Sequence, residues 1–207
     1  MSDAILEPFT PQNTTIMMVD YSVGFVNTFR SHAVNDHLSA TVALARTAIG
    51  LRSGLVVNLG HGQKPYPQLL EALGDHPIIY RGGEYNAFDS PEVVAAVEKA
   101  GRKRIAIAGI STDGCVLQTA MGALRRGYTV ALVEDATAGL TLEAHQISVR
   151  RMMQAGVVPI SWLGLATEFQ MNWEKADTAQ AYFGLIAEAS PGLSMGIQAE
   201  HAASAAA

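Results

Sequence analysis

One cysteine occurs in the chain, Cys115, and it closes the run Gly109-Ile110-Ser111-Thr112-Asp113-Gly114-Cys115, directly after an apolar, β-branched segment. A thiol in that position is a candidate nucleophile. The run opens a helical pattern, and near a helix N-terminus the unpaired amides and the positive end of the dipole favour thiolate. Backbone N–H groups of the Ser111–Cys115 turn could also cradle a developing oxyanion. Two further chemical groups end apolar runs: Asp20 closes Thr14-Thr15-Ile16-Met17-Met18-Val19-Asp20, and Arg81 closes Pro77-Ile78-Ile79-Tyr80-Arg81. An arginine beside the thiol would favour thiolate further; a carboxylate would oppose it but could take its proton. Each residue also has a plainer reading. A single cysteine can be an inert core filler, an aspartate at a strand end a helix cap or turn residue, and Arg81 a surface ion pair of little consequence.

The elements that must position these groups are short apolar runs alternating with helical patterns. Besides the two runs above, Leu55–Gly60, Arg104–Gly109, Tyr128–Val133 and Val157–Trp162 read as strands, six in all. Their near-continuous apolar character is that of strands buried on both faces. Pro159 assigns the sixth to a sheet edge, since proline cannot donate to a ladder. Between the strands, Ser90-Pro91-Glu92 reads as a helix start, with Val93, Val94 and Val97 on one face and Gly101 as the stop. Asp113 is expected to cap the next helix, which carries Val116, Leu117, Ala120, Ala123 and Leu124 inward and ends at Gly127. Further helices are expected near Asn35–Arg52, with Leu38, Val42, Ala45 and Ile49 as the buried stripe, and from about Thr141 to Ala155 before Gly156. This order implies an α/β fold with a parallel sheet, helices on both faces and the strand order 3-2-1-4-5-6. Strands one and four are then neighbours at the switch point where such sheets bind ligands. Asp20 and Cys115 are expected to face each other there.

A chain of 207 residues suits one domain with a tail. With 49% hydrophobic and 16% charged residues it is not disordered throughout. A formal net charge of -5 argues against a nucleic-acid binder relying on counterion release. The lone thiol fits a reducing, cytoplasmic setting. The N-terminal MSDAILEPFT has neither the positive nor the apolar region of a secretory signal, and no apolar run suggests a membrane span. Thr178–Glu188 looks amphipathic, and Gln198–Ala207 is an Ala-rich tail expected to be mobile.

The stretch Ala108–Val116, followed by Thr119-Ala120, Ala123-Leu124 and Gly127-Tyr128, resembles the isochorismatase-like cysteine hydrolase superfamily. So do the Val19-Asp20 strand end, Glu134-Asp135-Ala136, and Tyr80-Arg81-Gly82-Gly83-Glu84-Tyr85-Asn86-Ala87-Phe88. The similarity runs from about Thr14 to Trp173. It is nearest the YcaC-like branch, on Arg81 in place of the usual lysine, on Arg151-Met152-Met153-Gln154-Ala155-Gly156-Val157 and on the long C-terminal extension with Trp173. The resemblance implies a three-layer α/β/α Rossmann-like fold bearing a Cys-Asp-Lys triad. By position Cys115 would be the nucleophile and Asp20 the general base, with Arg81 in the lysine place. It further implies a non-proline cis peptide at Ile110–Ser111 and oxyanion donors in the N–H groups of Ser111 and Cys115. The implied reaction is hydrolysis of the C–N bond of a small amide through a thioester, without cofactor. Homo-oligomers, tetramers or octamers, are implied as well. Residues 1–175 would form the hydrolase domain and 176–207 an extension associated with assembly.

Two departures qualify the resemblance. Arginine cannot shuttle protons as a buried lysine can. The six histidines (His32, His37, His61, His76, His145 and His201) lack the Asp-x-His-x-x-His pattern of metal-binding nicotinamidases, so no metal is expected; His61, after the second strand, could face the site but reads first as an exposed turn residue. A retained Cys115 argues against vinyl-ether cleavage, which needs no nucleophile. Phe25, Tyr85 and Phe88 are candidate pocket walls, with sealing of the core or of a subunit contact as the alternative. Trp173 and Met171 read as packing or interface residues. Two other readings compete: a catalytically idle or redox-responsive oligomer, and a nucleotide binder, disfavoured because no strand precedes G-x-G-x-x-G or G-x-x-x-x-G-K-[ST].

Overall fold

Strand β1 (Thr14–Val19) is buried along its whole length, and that places it at the centre of the sheet. In a computed structural model describing residues 6–205, it pairs on one side with β2 (Gly54–Gly60) and on the other with β4 (Arg104–Gly109). β3 (Ile78–Arg81) lies outside β2, while β5 (Thr129–Val133) and β6 (Val158–Ile160) extend the other wing. All pairings are parallel and the order is β3-β2-β1-β4-β5-β6, as the alternation of runs predicts. Pro159 sits on the edge strand β6, where its missing N–H costs the ladder nothing.

Helices cover both faces. α1 (Val34–Gly50), α2 (Pro67–Leu73), α6 (Trp162–Gln170) and α7 (Ala179–Ala189) close one core, around Ile16, Met18, Leu44, Leu59 and Phe169. α3 (Pro91–Ala100), α4 (Leu117–Arg125) and α5 (Leu142–Gln154) close the other, around Met17, Val97, Ile107, Leu132 and Met152. Alternate residues of β1 feed the two cores, the period-two pattern of a strand between two layers. α8 (Pro191–Ala205) packs on α7. The caps follow local chemistry: Ser90 Oγ accepts from the Val93 N–H, Thr141 Oγ1 from the Ala144 N–H, and Gly101 takes the left-handed φ of +67° that ends α3.

Two expectations are corrected. The buried residues of α1 are His37, Ala40, Thr41, Ala43, Leu44, Ala45, Thr47 and Ala48; of the expected Leu38, Val42, Ala45 and Ile49 only Ala45 is buried, and Ile49 is 46% exposed. Thr41 and Thr47 can be buried because each hydroxyl donates to the carbonyl four residues back, at 2.8 Å. Asp113 does not cap a helix: Thr112–Val116 form one π-helical turn after Ser111, no side chain caps it, and Asp113 Oδ1 is buried without a partner. The Ala-rich segment is helical as part of α8 as far as Ala205; Ala206 and Ala207 lie outside the described residues.

Candidate active site

At the C-terminal edge of the sheet, β1 ends in Asp20, which adopts a φ of +56°. Such a conformation is uncommon for a residue other than glycine, although aspartate tolerates it better than most. The carboxylate is 2% exposed. Its Oδ1 accepts from the Gly60 N–H at 3.0 Å and its Oδ2 forms an ion pair with Arg81 Nη2. Arg81, 4% exposed, closes β3. Its other donors are engaged too: Nε donates to Asn58 Oδ1 at 3.0 Å, and Nη1 donates to the Glu84 carbonyl. Asn58 is wholly buried in β2, and its Nδ2 donates to the Met18 carbonyl at 3.2 Å. One polar network therefore ties the ends of β1, β2 and β3. Burying an ion pair is costly unless further hydrogen bonds satisfy both partners; here Asn58, Gly60 and Glu84 supply them.

The third candidate comes from the far side of the switch point. β4 ends at Gly109, where an added Cβ would stand 2.1 Å from the Val19 carbonyl oxygen, so only glycine allows β1 and β4 this approach. The Ile110–Ser111 peptide bond is cis. Beyond it the π-helical turn is held by the Thr112 N–H donating to the Ala138 carbonyl at 2.9 Å, and by the Gly114 and Val116 N–H groups donating to the Ser111 carbonyl at 3.1 Å each. Among the described residues the Ser111 N–H has no acceptor. Cys115 is half-buried in this turn.

The thiol lies in the electrostatic field of both Asp20 and Arg81, so the structure brings the three candidates together. Their balance differs from the expected one. Burial first, and the Asp20 carboxylate second, push the Cys115 thiol up to about 12; Arg81 opposes them and does not prevail. The helix-terminal position expected to favour thiolate is overridden, because a half-buried thiol beside a carboxylate ionises into an unfavourable field.

Of the three candidate pocket residues, Phe88 is 2% exposed and belongs to the second core, its ring 5.9 Å from that of Tyr128. The alternative reading, a core seal, is the one that holds for it. Tyr85 is 68% exposed and lines a surface recess with Asn86, Asp89, Gln118 and Arg126. Phe25 is half-buried against the first core. His61 is exposed, and its backbone N–H donates to the Arg81 carbonyl at 2.7 Å. Two groups of residues escaped the sequence reading. Asn58 carried a signal, a polar residue inside the apolar run Leu55–Gly60. His145, 2% exposed, bonds the Thr112 hydroxyl at 2.8 Å and stands 3.6 Å from Glu134, supporting the turn from α5; nothing in its spacing marks it.

Comparison with known proteins assigns the family. The profile of the Isochorismatase domain matches residues 14–163. The Escherichia coli protein named "Probable hydrolase YcaC" is 27% identical over 165 residues, 78% of this chain and 79% of that protein. A "Probable inactive nicotinamidase" of Arabidopsis thaliana is 26% identical over 133 residues, 64% of this chain and 60% of its own length. The crystal structure of YcaC from Pseudomonas aeruginosa superposes with a TM-score of 0.88 at 24% identity, covering 94% of this chain and 98% of that one, which establishes the shared fold. The chain belongs to the isochorismatase family of hydrolases, on its YcaC-like branch.

Proposed function

We propose that this protein hydrolyses the C–N bond of a small amide through a thioester on Cys115. The observation that carries the reading is the buried Asp20–Arg81 pair set beside the only thiol, at a turn that leaves the Ser111 N–H without an acceptor. The neutral resting thiol requires a base at the moment of attack, and Asp20 is placed for it. As Sγ bonds to the carbonyl carbon, the thiol proton passes to the Asp20 carboxylate and the carbonyl oxygen becomes an oxyanion. The N–H groups of Ser111 and Cys115 receive that oxygen. The tetrahedral intermediate collapses, the C–N bond breaks, and the departing nitrogen takes the proton from Asp20. Water, deprotonated by Asp20, then attacks the thioester; the carboxylic acid leaves and the thiol is restored. Arg81, a poor proton shuttle, acts by pairing with Asp20 and orienting its carboxylate.

A related protein, YcaC of Pseudomonas aeruginosa, was solved with covalent acrylamide, an electrophile of the kind that a reactive nucleophile captures. The E. coli YcaC structure is described as an octameric hydrolase of unknown specificity. On that basis we assign this chain to a homo-oligomer, in which the extension beyond residue 175 supplies contacts; Met171 and Trp173 beside it are 69% and 70% exposed, and α8 leaves Met195 71% exposed. A reducing, cytoplasmic setting suits the free thiol. Among the described residues no helix is long and apolar enough to cross a membrane.

The test is release of ammonia or amine from a panel of small aliphatic and aromatic amides, with intact-mass detection of an acyl adduct. Turnover should vanish in Cys115→Ala and Asp20→Asn, with fold and assembly unchanged. A second reading, a catalytically idle assembly, is favoured by the strongly raised thiol and by the relative named inactive. It prevails if the wild type turns over none of the panel and forms no adduct.

A further inference from the structure

The turn that carries Cys115 is pinned from a side that the proposed reaction does not use. Ser111 lies between two residues whose backbone is fixed: the Ile110 N–H donates to the Val19 carbonyl at 3.1 Å, and the Thr112 N–H donates to the Ala138 carbonyl at 2.9 Å. Thr112 is wholly buried, and its hydroxyl stands 2.8 Å from His145 Nδ1. The imidazole is itself confined. Its Nε2 faces the Glu134 carboxylate at 3.6 Å, and the His32 ring meets it edge-on at 4.9 Å. Gly139 leaves it room, since an added Cβ there would stand 3.0 Å from the His145 Cβ. His32 is held by the Ser31 hydroxyl at 2.8 Å, which also accepts from the Gly139 N–H at 2.9 Å. Burial, with His32 beside it, pulls His145 below the usual histidine range, against Glu134 and Asp113. The ring is therefore neutral at neutral pH. Its one proton belongs on Nε2, which faces the acceptor oxygens of Glu134, so Nδ1 accepts from the Thr112 hydroxyl.

We infer that His145 is a positioning residue: by accepting from Thr112 it sets where the Ser111 N–H stands relative to Cys115. The inference rests on the proposed role of that N–H as an oxyanion donor. Filling space would not require this pair. Two apolar side chains of the same shapes would pack as well and leave no polar atom to satisfy, and such double replacements can be nearly neutral for stability. What a buried hydrogen bond adds is direction. Thr112 adjoins Ser111, so a rotation of Thr112 about the Ala138 contact is passed directly to the Ser111 N–H. The bond to His145, reaching across from α5, is placed to prevent that rotation.

Two reactions of the Cys115 thiol separate this role from plain support of the fold. In acylation by p-nitrophenyl acetate, Sγ attacks the ester carbonyl, its oxygen becomes an oxyanion, and p-nitrophenolate leaves. In alkylation by iodoacetamide, Sγ displaces iodide and no oxyanion forms. Both consume the thiolate, so the ratio of the two rates cancels its fraction and reads the oxyanion donors. Cys115→Ala supplies the blank. The wild-type ratio should exceed that of N-acetylcysteine by about tenfold or more. His145→Phe should lower it about tenfold or more, the scale of a small misplacement of a reacting group. Thr112→Val keeps the side-chain shape, removes the hydroxyl and should lower the ratio as far, which decides the matter if His145→Phe does not fold. His145→Asn, whose Oδ1 takes the place of Nδ1, should restore it to within about threefold of wild type. The inference falls if Thr112→Val keeps the wild-type ratio, or if His145→Asn is as poor as His145→Phe. A wild-type ratio no higher than that of N-acetylcysteine removes the oxyanion donors themselves, and the inference with them. A raised ratio that the variants lower supports it even in a protein that turns over no amide, so the two readings fail separately.

Discussion

Replacing Asp20 by asparagine should abolish turnover and yet make Cys115 easier to alkylate. The wild-type thiol is held near 12 against an ordinary value of 9.0. At about pH 8 that leaves about a thousandfold less thiolate than a free cysteine would carry, at a factor of ten per unit. A more basic thiolate is intrinsically more nucleophilic, by about 15- to 30-fold over the same span for a Brønsted slope of about 0.4–0.5. The wild type should therefore react with iodoacetamide about 30- to 60-fold more slowly than free cysteine. The Asp20→Asn substitution removes the charge and the carboxylate hydrogen bonding, both of which raise the thiol, and leaves burial opposed by Arg81. Each unit by which the thiol falls should speed alkylation about three- to fourfold. Arg81→Ala has the opposite sign, because it removes the guanidinium that lowers the thiol. Intact-mass kinetics from about pH 6 to about pH 11 read all three proteins. The wild-type rate should climb about tenfold per pH unit to about pH 10 without a plateau. A wild-type plateau below about pH 9, or an Asp20→Asn rate slower than wild type in a protein of unchanged circular dichroism, would refute this account of the electrostatics.

Three stability predictions accompany it. Arg81→Ala strands a buried carboxylate and should cost about 3–5 kcal/mol in urea unfolding, whereas a paired Asp20→Leu, Arg81→Met variant should recover most of that loss. Gly109→Ala drives a Cβ against the Val19 carbonyl oxygen, a backbone atom that cannot swing aside, and should cost about 3 kcal/mol or more by the same measurement. His37 titrates near 3 when folded and at 6.5 when unfolded, so the unfolded chain gains a proton first as the pH falls. Stability should thus decline between about pH 6.5 and about pH 3, by up to about 1.4 kcal/mol per pH unit more in the wild type than in His37→Phe; equal pH slopes for the two proteins would contradict it.

The sheet was readable because its strands are buried on both faces. Runs such as Ile105-Ala106-Ile107-Ala108 leave no amphipathic alternative, and Gly101, Gly127 and Gly156 punctuate the helices between them. The stripe of α1 was misread for a physical reason. That helix is covered on several sides, by the sheet, α2, α6 and α7, and the half-buried Leu38 and Val42 line a recess shared with residues of α2 and α7. Its buried residues, besides His37 and Leu44, are instead alanines and threonines whose hydroxyls bond the carbonyl four residues back. The identities of Asp20, Arg81 and Cys115 were accessible through their places at strand ends, and the topology brings them together. Their electrostatic balance was not accessible, because it turns on how deeply the thiol is buried and on which charge stands nearer. Asn58 was legible in principle: a polar residue in the middle of a doubly buried strand must find partners, and it found Arg81 and the Met18 carbonyl.

Pairing between β1 and β4 spans about ninety residues of chain, with Thr14 beside Arg104 and Val19 beside Gly109. The strand that becomes the centre of the sheet is therefore the first to be synthesised and must wait for its second neighbour. At about 5–20 residues per second on the ribosome, that wait is roughly 5–20 s. Throughout it, a nascent sheet of β3, β2 and β1 presents an apolar strand as a bare edge, its N–H and C=O groups open to any other extended chain. Parallel, non-local pairing of this kind is also slow once the whole chain is available. Arrival of β4 ends the exposure, and it is the same event that sets Cys115 beside Asp20. Arrival of Cys115 at the candidate site and loss of the most aggregation-prone surface are thus one step in the life of the chain, so a nascent chain arrested before β4 would lack the assembled site and be adhesive.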